Sequence, residues 1–148
     1  MKRVVVIFGA LLLVGYLTAL VVPLDPQEQR PGTRLDGERI NPQLHDWSVL
    51  TGQNKIYVQT QTWYLVPHSV TTTSWVTDNE LYVPCAHCDS KLWPKNVARN
   101  PNVTLKLGNK LYDRRAVKIT DPLETRRLLQ IPGHGDLPGV AVFRMDPR

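Results

Sequence analysis

The chain has 148 residues, enough for one domain, and its 42% apolar content suffices for one core. The formal charge is +5. Setting aside Lys2 and Arg3, which precede a long apolar run, leaves 16 basic against 13 acidic side chains. That balance is too mild and too interspersed to imply a nucleic-acid partner, and Arg114-Arg115 and Arg126-Arg127 read as solvated faces.

Val4 to Val22 is a run of 19 residues without a charge. At about 1.5 Å per residue such a helix spans roughly 28 Å, close to the ~30 Å hydrocarbon core of a bilayer. The run is longer than a signal-peptide core, and Leu17-Thr18-Ala19 puts a large residue where a cleavage site wants a small one. Residues 1–23 are therefore expected to be an uncleaved single-pass anchor. Lys2 and Arg3 bias the N-terminus to the cytoplasm and the remainder to the periplasmic or extracytoplasmic side. The alternative is a buried helix of a soluble core.

Residues 24–46 carry prolines and glycines with no sustained apolar period, which predicts a tether between anchor and domain. Leu44 and Trp47 are candidates for a small core contribution near its end. Residues 47–148 form the predicted domain. Lys55 to Val66 reads as strand, with Ile56, Val58, Thr60, Thr62, Tyr64 and Val66 on one side and Gln59 and Gln61 on the other. Twelve residues is long for one strand, so a bend or a division is expected before Pro67-His68.

Val70–Thr77 and Glu80–Val83 flank Asp78-Asn79, two residues that tolerate positive φ and predict a tight hairpin. The same grammar recurs in Asn102–Leu107, Gly108-Asn109 and Lys110–Thr120. Between the hairpins, Ser90 is placed to cap a helix reaching Asn100, where Asn100-Pro101 ends it. Asp121-Pro122-Leu123-Glu124 opens a second helix to about Ile131, with Leu123, Leu128 and Ile131 as its buried face. A Gly/Pro loop with His134, a candidate lid residue, precedes a closing strand over Val140–Met145. The fold class is mainly β: an antiparallel sheet curled into a barrel, with two short helices, behind one transmembrane helix.

Cys85-Ala86-His87-Cys88 has the spacing of a disulfide or of half a zinc site. Zinc needs four ligands, and only the distant His45, His68 or His134 could complete the set, so no metal site is assigned. A structural disulfide clip, an exchangeable thiol pair made reactive by His87 and a helix start, and inert reduced thiols all stay open.

The segments SWVTDNELYV, DSKLWPKNVARNPNVTLKL, GNKLYDRRAVKI, DPLETRRLL and VAVFRMDP together resemble the split β-barrel flavin-binding superfamily. That superfamily contains pyridoxamine-phosphate-oxidase-like and deazaflavin-dependent nitroreductase-like proteins, and the resemblance covers about residues 55–146. It implies a cofactor, FMN or deazaflavin, held at its phosphate end by Thr71, Thr72, Thr73, Ser90 and Lys91, commonly across a homodimer interface. Trp93, Trp75 or Tyr82 would pack on the ring. Family members that bind FMN well usually carry an arginine where this chain has Thr71–Thr73; the cations here are Lys91 and Lys95. The resulting expectation is a membrane-anchored flavin- or deazaflavin-binding oxidoreductase-like protein, with no substrate assigned. The alternatives are a cofactor-free interaction module and a thiol-disulfide protein using Cys85 and Cys88.

Overall fold

The computed structural model describes residues 2–41, 47, 50, 52, 54–132 and 139–148. Helix α1 (Lys2–Val21) is followed by strand β1 (Glu38–Arg39), β2 (Asn54–Gln61), β3 (Pro67–Thr77) and β4 (Glu80–Cys85). A single 3₁₀ turn over Cys88–Ser90 leads to helix α2 (Leu92–Arg99), then β5 (Asn102–Leu107), β6 (Lys110–Lys118), helix α3 (Pro122–Gln130) and β7 (Ala141–Pro147). Strands β2 to β7 pair in the order β6-β5-β2-β3-β4-β7, and β7 returns to β6. The result is a closed six-strand antiparallel barrel. Closure matters because it leaves no unpaired sheet edge among these strands.

Alternation sorts the side chains. Ile56, Val58, Leu81, Val83, Val103, Leu105, Phe143 and Met145 point inward, and Trp93 and Val97 of α2 join the same core. The intervening Trp75, Tyr82 and Val142 form a second cluster on the outer wall, covered by Leu128 and Leu129 of α3. Turn chemistry behaves as expected: Asp78 and Asn79 have φ of 52° and 61°, and Gly108 has φ of 58°. Trp47 is buried in the barrel core, whereas Leu44 and the proposed lid His134 lie outside the described residues.

The long Lys55 run proves to be one strand and a turn. β2 stops at Gln61, Thr62–Val66 turns the chain, and Pro67 opens β3. Proline suits that position because it heads the strand. The α3 face also differs: Leu128 and Leu129 are buried, while Leu123 is 73% exposed and Ile131 is exposed. The fully buried contacts of α3 come from its last turn, and Leu123 lies five residues from Leu128, about 140° round the helix.

Arg114 corrects the solvated-face reading. It is fully buried, its guanidinium 5.1 Å from the Trp47 ring and 5.8 Å from the Tyr112 ring. Burial lowers its pKa, and Nη1 donates to the Asp113 carbonyl at 3.0 Å.

Residues 24–41 are irregular, as their composition predicts, yet they are strapped to the barrel rather than free of it. Gly32 and Ser69 exchange two backbone hydrogen bonds of 2.9 and 3.0 Å. The Leu35 amide donates to Gln59 Oε1 at 2.6 Å, Asp25 pairs with Lys106, and Arg39 pairs with Asp113. β1 adds a short parallel pairing to the start of β6. Proline and glycine content marked this segment as extended but could not reveal that the barrel wall would supply its hydrogen-bond partners.

The N-terminal helix is long and apolar enough to cross a membrane, and its spanning window is 0% buried by the rest of the chain. The reading of a buried core helix is thereby removed.

Candidate functional site

A cleft of about 500 Å³ lies where three elements meet. The strap supplies Glu28, Gln29, Arg30 and Pro31; β3 supplies His68, Val70, Thr71 and Thr72; the start of α2 supplies Lys91, Leu92 and Trp93. Its volume falls in the range of small-molecule sites, about 300–1,000 Å³.

Each wall has a local cause. Gln27 and Arg30 exchange backbone hydrogen bonds of 3.1 and 2.8 Å around Glu28, whose φ is 52°, so a tight turn holds Arg30 at the rim. Gly32 lets the strap fold closely on itself and on β3: a Cβ there would lie 2.1 Å from the strap's own Leu24 carbonyl oxygen and 2.6 Å from Ser69 Oγ of β3. Behind the cleft, the buried Asn96 of α2 donates through Nδ2 to Thr60 Oγ1 at 3.0 Å, and Thr60 donates to the His68 carbonyl at 3.2 Å. This pair of bonds ties α2 to both β2 and β3.

The electrostatics favour an anion. Arg30 and Lys91 face one carboxylate, Glu28, and desolvation lowers the His68 pKa so that its imidazole is neutral at neutral pH. Thr71 Oγ1 is buried without a hydrogen-bond partner. A buried hydroxyl in that state costs free energy unless something accepts or donates to it. A phosphate oxygen would satisfy it, and the two cations would neutralise the charge. The residues present therefore fit the anionic end of a cofactor.

Four of the six residues expected to hold a cofactor line this cleft: Thr71, Thr72, Lys91 and Trp93. Thr73 is exposed on β3 outside it. Ser90 sits in the 3₁₀ turn, where Oγ donates to the His87 carbonyl at 2.8 Å; Lys91, not Ser90, occupies the N-cap position of α2. The Ser90 hydroxyl prefers its own turn, a competition common to serine near helix starts. The three rings expected to stack on a cofactor are all occupied. Trp93 is 3% exposed and packs on Phe143 with centroids 4.8 Å apart. Trp75 and Tyr82 lie on each other at 6.1 Å beneath α3.

Arg30 is the residue that sequence reasoning missed. It sits in a segment read as a spacer, about 40 positions from β3, and the Gly32–Ser69 pairing, between the Asp25–Lys106 and Leu35–Gln59 contacts, brings it to the site. Glycine at 32 was the one local hint, since close backbone approach requires it.

Cys85 and Cys88 are disulfide-bonded, with Cα atoms 5.4 Å apart. This removes the reduced-thiol and zinc alternatives for the pair in this state. Neither cysteine lines the Arg30–Lys91 cleft. A larger cleft of about 590 Å³ lies beside Cys88 and α3. It is bordered by Gly139, next to residues outside the described set, and no role is assigned to it.

The barrel's arrangement of strands and helices recurs in solved structures. A Listeria innocua protein named for pyridoxamine 5'-phosphate oxidase superposes with a TM-score of 0.53 at 19% identity, covering 64% of this chain and 84% of that one. The chain has the split β-barrel fold. A Bacteroides thetaiotaomicron protein named for 5-nitroimidazole antibiotic resistance shares this split β-barrel with a TM-score of 0.54 at 15% identity, covering 82% and 85% of the two chains. The conserved hypothetical protein Rv2991 from Mycobacterium tuberculosis does so with a TM-score of 0.54 at 14% identity, covering 82% and 86%. No family model matches the sequence, and no curated protein sequence matches it. At these identities the likeness is one of fold, and function must come from the site itself.

Proposed function

We propose that the protein is a membrane-anchored, oxidoreductase-class split β-barrel that binds a flavin-type cofactor, FMN or deazaflavin, by its phosphate end. The observation that carries this reading is the convergence of Arg30, Lys91 and the unpartnered Thr71 hydroxyl on one cleft. Arg30 and Lys91 bind the anion, Thr71 and Thr72 orient it, and Leu92 and Val70 keep water from its apolar side. When bound, such a cofactor supplies the hydride or electron chemistry, and the protein supplies binding and orientation. With Trp75, Tyr82 and Trp93 buried, the ring end would be completed by a second copy in a homodimer. α1 serves as the anchor, and the Cys85–Cys88 disulfide accords with a barrel on the extracytoplasmic side, where such bonds persist.

The buried rings favour one second reading, a cofactor-free interaction module with the disulfide as a clip. Titrating the detergent-solubilised full-length protein with FMN and with deazaflavin separates the two. The cofactor reading expects saturable quenching of the flavin emission and a perturbed visible spectrum. No change with either ligand at high micromolar concentration leaves the module.

A further inference from the structure

The turn between β2 and β3 is the most apolar exposed feature of the described barrel. Trp63 is 74% exposed, Leu65 62% and Tyr64 42%, and the rings of Trp63 and Tyr64 meet edge-on at 5.2 Å. From Ile56 to Thr77 the sequence has no Asp, Glu, Lys or Arg. Solvent-facing hairpin tips are ordinarily built from Gly, Asn and Asp. Here Leu65 takes φ of 67°, a conformation that disfavours a leucine, and its side chain projects outward.

The tip's position supplies its occupant. Tyr16 of α1 donates its hydroxyl to the Tyr64 carbonyl at 2.9 Å. Tyr16 lies five residues before Val21, where α1 ends, which is about 8 Å back along the helix axis. The exposed apolar residues continue through Val21 at the end of α1 and Val22 just after it. The Trp63-Tyr64-Leu65 tip thus lies level with helix turns that must be within the membrane if α1 spans it. Part of its backbone is already bonded within the tip. The Thr62 amide and hydroxyl both donate to the Val66 carbonyl, the Leu65 amide donates to the Thr62 carbonyl, and the Gln61 side chain donates to the Leu65 carbonyl. Backbone groups satisfied internally are what a lipid environment demands, and Trp and Tyr favour the membrane–water interface.

We infer that the β2–β3 tip is a second membrane contact, inserted into the leaflet at the C-terminal end of α1 and fixing the barrel against the bilayer. This rests on α1 being the membrane span. Because β3 runs directly from the tip to His68, Thr71 and Thr72, the contact also sets the height of the cleft above the lipid.

The test is full-length protein reconstituted into phosphatidylcholine/phosphatidylglycerol vesicles with brominated acyl chains, read by tryptophan emission. Trp47, Trp75 and Trp93 are buried in the barrel and serve as internal controls. Bromolipid is expected to quench roughly a quarter of the emission, the share of one tryptophan in four, and Trp63→Phe to abolish that quenching. Vesicle flotation after carbonate washing is scored in parallel. Flotation without quenching overturns the tip's insertion while the anchor stands, and identifies the tip as a contact for protein or water. Loss of the protein from the floated vesicles overturns both.

Discussion

Gly32→Ala probes how the strap delivers Arg30 to the cleft. The new methyl carbon would lie 2.1 Å from the Leu24 carbonyl oxygen and 2.7 Å from the Pro26 nitrogen, both backbone atoms, and 2.6 Å from Ser69 Oγ. Both backbone atoms belong to the strap, so its fold over residues 24–32 must open, and the Gly32–Ser69 contact with β3 opens with it. Opening breaks the two hydrogen bonds between Gly32 and Ser69, each contributing about 1 kcal/mol net, for a cost of about 2 kcal/mol. The barrel strands do not depend on those bonds, so the fold should survive with a melting temperature lowered by about 4–8 °C. Arg30 would leave the cleft with the strap. A charge-assisted hydrogen bond to phosphate is worth about 1.5–3 kcal/mol, so FMN affinity should fall about 10–100-fold. Calorimetric titration and a thermal melt on the same sample measure both effects. Arg30→Ala is the control, losing the affinity with little change in melting temperature. A Gly32→Ala protein that melts and binds like the wild type would refute the reasoning.

Further outcomes follow from the packing. Leu128→Ala should cost about 2–5 kcal/mol by denaturant titration, as for other buried leucines, while Leu123→Ala should stay within about 0.5 kcal/mol. Cys88→Ser opens a very short loop, so the chain-entropy cost is about 2 kcal/mol; cofactor affinity should be unchanged, and loss of affinity would tie the disulfide to the site. Burial depresses the His68 pKa below its ordinary value of 6.5. The unfolded chain therefore takes up that proton first, so His68 lowers stability as pH falls below about 6.5 and has no such effect above it. His68→Gln should remove that component of the acid-side decline in a pH series of melts.

The hairpins were legible because turn residues and period-two alternation are local. Asp78-Asn79 and Gly108 adopt the positive φ their chemistry allows, and Val103 and Leu105 face inward as their spacing requires. The errors came from tertiary context. Arg114 is buried because Trp47 and Tyr112 accept its guanidinium, rings supplied by other positions of the barrel. Leu123 is exposed because it points about 140° round α3 from the buried Leu128. In the cleft, Thr71, Thr72 and Lys91 come together as one strand and one helix start, which local patterns place. Ser90 does not cap α2 because a 3₁₀ turn intervenes, and Arg30 was invisible because tertiary contacts of the strap, not a sequence pattern, bring it to the cleft.

The most direct measurement is the affinity of the full-length protein for FMN against riboflavin, which lacks the phosphate, in wild type and Arg30→Ala/Lys91→Ala. The cleft should hold FMN at least tenfold more tightly than riboflavin in the wild type, and the double variant should bind the two alike. Equal affinities in the wild type, or no binding of either, would contradict an anion-gripping cleft on this barrel.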